Sequence, residues 1–293
     1  MKRLVSILLC VLVLVLSAQA QSQPKKRAAA NPSKPNQQNK FLEKQWWLGF
    51  KAGTNFSNPS IIKRYTVMTP TNYPQAVTDK TYDSFSEAGS QATVEATFYL
   101  KGFSFSVQPT YRHSRFSYSN QFRWYNPENI TEELILQYDQ EQKIDYADFP
   151  LTVKYDLLKG NLRPYVQAGV FYSLLINANK SVQISGTDYA SGGTNPFSND
   201  PVIVGVKDLY NNYWGIMAGM GVNYHVGNVR VVLDVSYWKG MSNITDVDNR
   251  FANDRLAGIG DVPDDLNLNN IVISAGVLFP MRFLGNSFNT LDR

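Results

Sequence analysis

Over long stretches of this chain every second residue is apolar, a period-two alternation that predicts β-strands with one apolar and one polar face. Residues 148–175 show it twice. Phe149, Leu151, Val153 and Tyr155 alternate with Asp148, Pro150, Thr152 and Lys154; then Pro164, Val166, Ala168, Val170, Tyr172 and Leu174 alternate with Arg163, Tyr165, Gln167, Gly169, Phe171 and Ser173. Six more strands follow the rule at about 45–56, 89–100, 103–112, 210–226, 229–238 and 269–282. Short turns join the second and third, fourth and fifth, and sixth and seventh, whereas each other connection runs to roughly 30 residues. An even number of strands with short turns on one rim and long loops on the other is the asymmetry of a barrel in an outer membrane, turns in the periplasm and loops outside. The sequence therefore predicts an all-β fold: an eight-stranded antiparallel up-and-down transmembrane β-barrel with long external loops.

The second face sharpens this choice. A soluble lipocalin-like barrel needs Lys and Glu on its exterior, but the non-apolar face here is rich in Gly, Ser, Thr, Gln and Asn, which suits a crowded, hydrogen-bonded lumen. Lys51, Glu95, Arg112, Lys154, Arg163, Asp234 and Arg282 fall on that face and are expected to point into the lumen and pair there. Two aromatic groups are expected to form girdles at the two membrane interfaces: Trp46, Trp47, Tyr155, Tyr165, Phe279 and Phe283 on the turn side, and Phe56, Tyr111, Tyr172, Trp214, Tyr237 and Trp238 on the loop side.

The ends of the chain read differently. Lys2 and Arg3 precede an apolar run from Leu4 to Leu16, followed by Ser17-Ala18-Gln19-Ala20, so residues 1–20 are expected to be a signal peptide cleaved near Ala20. Residues 21–44, rich in Gln, Pro, Lys and Asn, are expected to be a flexible periplasmic linker, and 45–293 the barrel. The only cysteine, Cys10, lies in the signal, which leaves the barrel without disulfides. The formal charge of +4 is concentrated at the N-terminus; residues 45–293 carry 20 basic and 23 acidic side chains, which argues against a nucleic-acid surface.

Several stretches resemble a family. "DYADFPLTVKYDL" with "GNLRPYVQAGVFYSLL" is similar to the paired strands of the PorT-like outer-membrane β-barrel family, and "NNYWGIMAGMGVNYHVGNVRVVLDVSYWKGMSNI" to its later hairpin. "WLGFKAGTNFS" and "NNIVISAGVLFP" resemble its first and last strands, so the likeness spans about residues 46–284 outside the long loops. It implies a barrel in the cell outer membrane, with outer-membrane lipid and an envelope or secretion-machinery protein as partners, since one type of member is implicated in type IX protein secretion.

Chemistry is sparse. His113 and Ser114 adjoin on one strand and so point to opposite faces, a poor basis for a nucleophile and its base. His225 is expected to be a polar residue of the rim. Asp246, Asp248, Asp254, Asp261, Asp264 and Asp265 share a loop without the order of an EF-hand and are expected to be solvated. No catalytic set, cofactor or metal site is expected. The reading is a non-enzymatic integral outer-membrane protein, an interaction or accessory component of the envelope linked to type IX-like secretion; the alternatives are a small pore and a lipid-modifying outer-membrane enzyme.

Overall fold

The computed structural model describes residues 44–66 and 79–281. The signal peptide, almost all of the linker, Arg282 and Phe283 lie outside the described residues. Eight principal strands follow in chain order: β1 (Lys44–Lys63), β2 (Ala88–Leu100), β3 (Phe103–Val107 continued by Thr110–Tyr125), β4 (Glu133–Asp156), β5 (Leu162–Asp188), β6 (Tyr213–Val226), β7 (Val229–Gly240) and β8 (Asp265–Pro280). Each pairs antiparallel with the next, and β8 pairs back onto β1 from Trp47↔Pro280 to Lys63↔Asp265, so the sheet closes on itself. Closure satisfies the backbone groups that an open edge would leave facing hydrocarbon. No helix among the described residues is long and apolar enough to cross a membrane.

Local chemistry explains the turns. Lys101 and Gly102 both take positive φ, 48° and 99°, between Leu100 and its partner Phe103, as a two-residue hairpin turn matched to strand twist requires. Gly227, at φ 59°, opens the equally short turn from β6 to β7. Pro109 cannot donate a ladder hydrogen bond and marks the break in β3, where the neighbouring strands bridge the gap through Val94 N to Pro109 O and Gln108 N to Pro150 O.

Around the barrel the apolar set faces outward. Phe50 and Met220 are 61% and 63% exposed, and Val94, Phe105, Leu151, Val170, Ile216 and Leu233 stand out in the same way, while Lys51, Thr93, Ser106, Thr152, Gln167 and Asp234 are buried inside. Three of the expected girdle aromatics are inside instead. Trp47 is stacked beneath Arg230, Tyr165 donates to Asp234, and Trp238 faces Arg112. Their strand positions share the parity of the lumen charges, and aromatic type had outweighed parity in the expectation. Glycines make room for such rings: a Cβ at Gly215 would lie 2.4 Å from the Phe171 ring, and one at Gly221 2.5 Å from Tyr165.

The larger departure is length. The sequence pattern ended the third strand near Arg112 and the fifth near Leu174, but β3, β4 and β5 continue to Tyr125, back from Glu133, and on to Asp188. Beyond residue 113, β3 alone advances about 40 Å at roughly 3.3 Å per residue. Asn195–Ser198 and Val202–Gly205 add to the β5 edge and Thr81–Tyr82 to the β3 edge, making a projecting sheet, or blade. In the blade the polarity of the faces is reversed. Inward Phe116, Ile144, Tyr146 and Ala178 are buried, together with Val204, Leu256 and Leu268, while Arg115, Glu141, Lys143 and Ser181 lie on the outward face. A bulge at Ile176 shifts β5 by one residue at this crossover, so that Ala178 and Lys180 point inward as Ser173 does below it.

Candidate functional site

The lumen is organised in three polar rungs and a plug. In the middle rung, Lys51 (β1), Glu95 (β2), Lys154 (β4) and Asp234 (β7) converge because each holds an inward position at the same height of the closed ladder. Lys51 Nζ lies 2.9 Å from Glu95 Oε2 and 3.1 Å from Asp234 Oδ2, and also donates to Gln108 Oε1 at 2.9 Å. Lys154 Nζ reaches Glu95 Oε1 at 2.5 Å. Thr97 donates to the same carboxylate, and Ser274 and Tyr165 donate to Asp234. Two cations and two carboxylates, all buried, thus balance with their hydrogen-bonding capacity largely used, the condition under which buried charge is tolerable.

Toward the long loops, Arg112 (β3) makes a two-point contact with Asp148 (β4): Nε to Oδ2 at 2.7 Å and Nη2 to Oδ1 at 3.0 Å. It also donates to Tyr213 at 2.6 Å, while Ser173 donates to Asp148. The rings of Tyr146, Tyr213 and Trp238 stand 5.5–5.9 Å from the guanidinium. At the short-turn end, Arg163 (β5) donates to Tyr99 at 3.1 Å and lies 3.7 Å from Asp156. The structure thus brings Lys51, Glu95, Lys154 and Asp234 together and places Arg112 and Arg163 in separate rungs; Arg282 lies outside the described residues.

Above the Arg112 rung, the segment between β7 and β8 turns into the mouth. The aspartate-rich loop, expected to be solvated, has Leu256, Asp261, Val262 and Asp264 buried. Lys180 pairs with Asp261, to which Tyr118 donates at 3.1 Å. Lys80 lies 3.1 Å from Asp264, and Tyr82 donates to that carboxylate at 2.9 Å. Burial alone would raise the Asp261 carboxyl, but Lys180 and then Lys80 hold it down at about 2. The apolar part of the loop packs on the blade core, which supplies the hydrophobic gain that a solvated loop lacks.

A small cavity between the Lys51 and Trp238 levels has about 10 Å³ of room, enough for about one water. Wider spaces lie outside. A groove of about 380 Å³ runs along the blade past Asp83, Ser117, Asp139, Glu141, Ser181 and Gln183, and one of about 520 Å³ lies at the rim between Lys207, Asn211, Asp246 and Asn249.

His113 and Ser114 do point apart. His113 Nδ1 meets Asp145 Oδ1 at 2.6 Å on the outward face, and Ser114, buried in the lumen, donates to Asn55. His225 bridges Arg230 and the Asn161 carbonyl at the short-turn rim. Asp148, Arg230 and Lys180 complete the network without having been singled out by sequence, and Asp261 joins it although the sequence placed it in a solvated loop. Arg230 and Asp148 share the alternation of the recognised lumen charges, a usable signal. Nothing local pairs Lys180 with Asp261, 81 positions away.

Residues 19–246 match the family described as outer membrane protein beta-barrel domain, a span that ends before β8. No curated protein matches. Among solved structures, Neisserial surface protein A is 14% identical, with 80% of this chain and 96% of that chain covered at a TM-score of 0.34. Outer membrane protein W of E. coli is 12% identical, covering 81% and 98% at 0.35, and the outer membrane protease OmpT of Escherichia coli is 11% identical, covering 81% and 95% at 0.30. At these scores the likenesses carry no weight for function.

Proposed function

The chain belongs to the outer membrane protein β-barrel domain family and sits in the cell outer membrane, and from that premise we propose a non-enzymatic barrel that works as an interaction or accessory component of the envelope. One observation carries the reading: the lumen is filled by paired charges and capped by the β7–β8 segment, while β3, β4 and β5 continue beyond the apolar belt as a blade packed around an apolar cluster that runs down into the barrel. Material spent on a rigid projecting sheet and a closed interior suits recognition better than conduction or turnover. In this reading the short turns face the periplasm and the blade faces outward from the cell. The likeness of the paired strands to the PorT-like family supports a partner in the envelope, with type IX-like secretion machinery as the class to examine first.

Two measurements test the proposal. A photoreactive residue at Gln183 in the blade groove, activated in whole cells, is expected to form a discrete adduct with an envelope protein, whereas the same residue at Val153 in the belt is expected to form none. The absence of any adduct from the blade would count against an interaction role. Purified barrel in planar bilayers is expected to be electrically silent, and steady unitary currents would replace this reading with the small pore.

A further inference from the structure

The three lumen rungs differ in charge balance. Lys51 and Lys154 are matched by Glu95 and Asp234, and Arg112 by Asp148. At the short-turn mouth, however, Arg163 lies 3.7 Å from Asp156, and Arg230 has no carboxylate within ion-pair distance among the described residues. His225 adds no balancing charge: its Nε2 accepts from Arg230 Nε at 3.2 Å, which leaves the proton on Nδ1, facing the Asn161 carbonyl at 3.3 Å. Among the described residues the mouth is therefore the lumen level with surplus positive charge.

Its groups are also held in place. The Arg230 guanidinium stacks 4.2 Å from the centroid of Trp47 and 5.5 Å from Tyr99, and Arg163 lies over the other part of the same cluster, 5.8 Å from Tyr99, with Nε bound to the Gly160 carbonyl at 2.8 Å. Stacked guanidiniums fixed before a ligand arrives are a recurrent solution for oxyanions, since little side-chain freedom remains to be lost. Polar capacity is left over among these buried side chains. Asp156 has only the 3.7 Å ion pair with Arg163, and the indole Nε1 of Trp47 and the amide of Gln45, one strand position inward of the rim, have no hydrogen-bond partner among the described residues. Unsatisfied buried groups are costly, and so many at one level is uncommon in a finished interior.

A plain dianion would satisfy the arginines and the indole but clash with Asp156. A cation would satisfy Asp156 but meet two guanidiniums. The group that answers both is an oxyanion that carries its own proton: its ionised oxygens accept from the arginines and the indole N–H while its hydroxyl donates to the carboxylate. We propose that the short-turn mouth binds a protonated phosphate, either the free ion or a phosphomonoester head group, against the cluster of Arg163, Arg230 and Asp156, replacing the direct 3.7 Å contact of Arg163 with Asp156. Arg163 is the least buried of the three groups.

The test uses the full chain in detergent, with titration calorimetry against inorganic phosphate, glycerol phosphate and sulfate near pH 6.5. Phosphate is expected to bind at least about tenfold more tightly than sulfate, because sulfate has no proton to offer Asp156. Binding of glycerol phosphate but not of the free ion would identify the source as an ester. Arg163→Gln, at the rim, is expected to weaken phosphate binding about tenfold while the heat-modifiable folded band persists. Asp156→Asn is expected to let sulfate bind as well as phosphate, since the amide can donate where the carboxylate could not. Failure of both phosphates to bind, or equal affinity of the unsubstituted protein for phosphate and sulfate, overturns the proposal.

Discussion

Strand β4 crosses two media with one alternation, and its two halves are built in opposite senses. From Phe149 to Asp156 the outward residues Phe149, Leu151, Val153 and Tyr155 are 44–55% exposed, and the inward Thr152 and Lys154 are buried. From Glu133 to Asp145 the outward residues are Glu141, Lys143 and Asp145, and the inward Ile144, with Tyr146 just below, has no exposed surface. In the belt the exterior is hydrocarbon, so the interior carries the polar groups and stability depends on pairing them. Beyond the belt the exterior is water, so burial of apolar surface organises the inside. The switch falls at Asp148, where the Arg112 rung meets the base of the blade core.

Breaking the middle rung should have the largest effect. Glu95→Gln leaves Lys51 and Lys154 buried with one carboxylate between them, a loss expected to reach about 3–5 kcal/mol. The heat-modifiable band should then convert at a markedly lower temperature; an unchanged midpoint would mean that the rung is not what secures the lumen. Next, Val153→Lys on the belt should impair insertion by about 2–4 kcal/mol near the midplane, read as folded yield in vesicles. The contrast between halves predicts that Ser181→Lys, also outward but beyond the belt, stays within about 0.5 kcal/mol of the original protein. Equal yields for the two would erase the boundary drawn at Asp148.

The plug responds to acid in a defined direction. Asp261 titrates lower in the folded protein, at about 2, than its ordinary 3.8, so its contribution is complete above 3.8 and is lost as pH falls through about 2. Amide exchange over residues 254–265 should therefore stay slow at pH 5 and quicken only in strong acid. Lys180→Met, which removes the principal group holding that carboxyl down, should shift the loss to higher pH. Smallest of the set, Ile144→Val in the blade core should cost about 0.5–1.5 kcal/mol and loosen the plug without altering insertion. A change in folded membrane yield would show that blade and belt are not separable.

Much of the belt was legible from the chain. Leu151, Val153, Val166, Ala168 and Val170 are exposed and Thr152, Lys154 and Gln167 are buried, as the alternation in residues 148–175 required, because the side-chain period of a strand admits one partition of faces. The blade was not legible by the same search. Apolar positions there, such as Phe116, Ile144 and Tyr146, are interleaved with Arg115, Lys143 and Asp145, so the stretch reads as a polar loop unless the period is followed regardless of which face is apolar. The aspartate-rich loop misled for a related reason, since its composition is that of a solvated segment and only its partners bury it.

The sequence by itself determined that the chain alternates in eight main strands, which connections are short, and which parity carries charge. Those properties are local, set by side-chain period and turn chemistry within a few residues. Tertiary structure alone decided which charges meet, that Arg163 reaches Asp156 while Arg230 stacks on Trp47, and that the β7–β8 segment closes the loop-side mouth. Closing the ladder from β8 to β1 sets the height of each inward side chain, and residues far apart in the chain become neighbours only once that ring is complete.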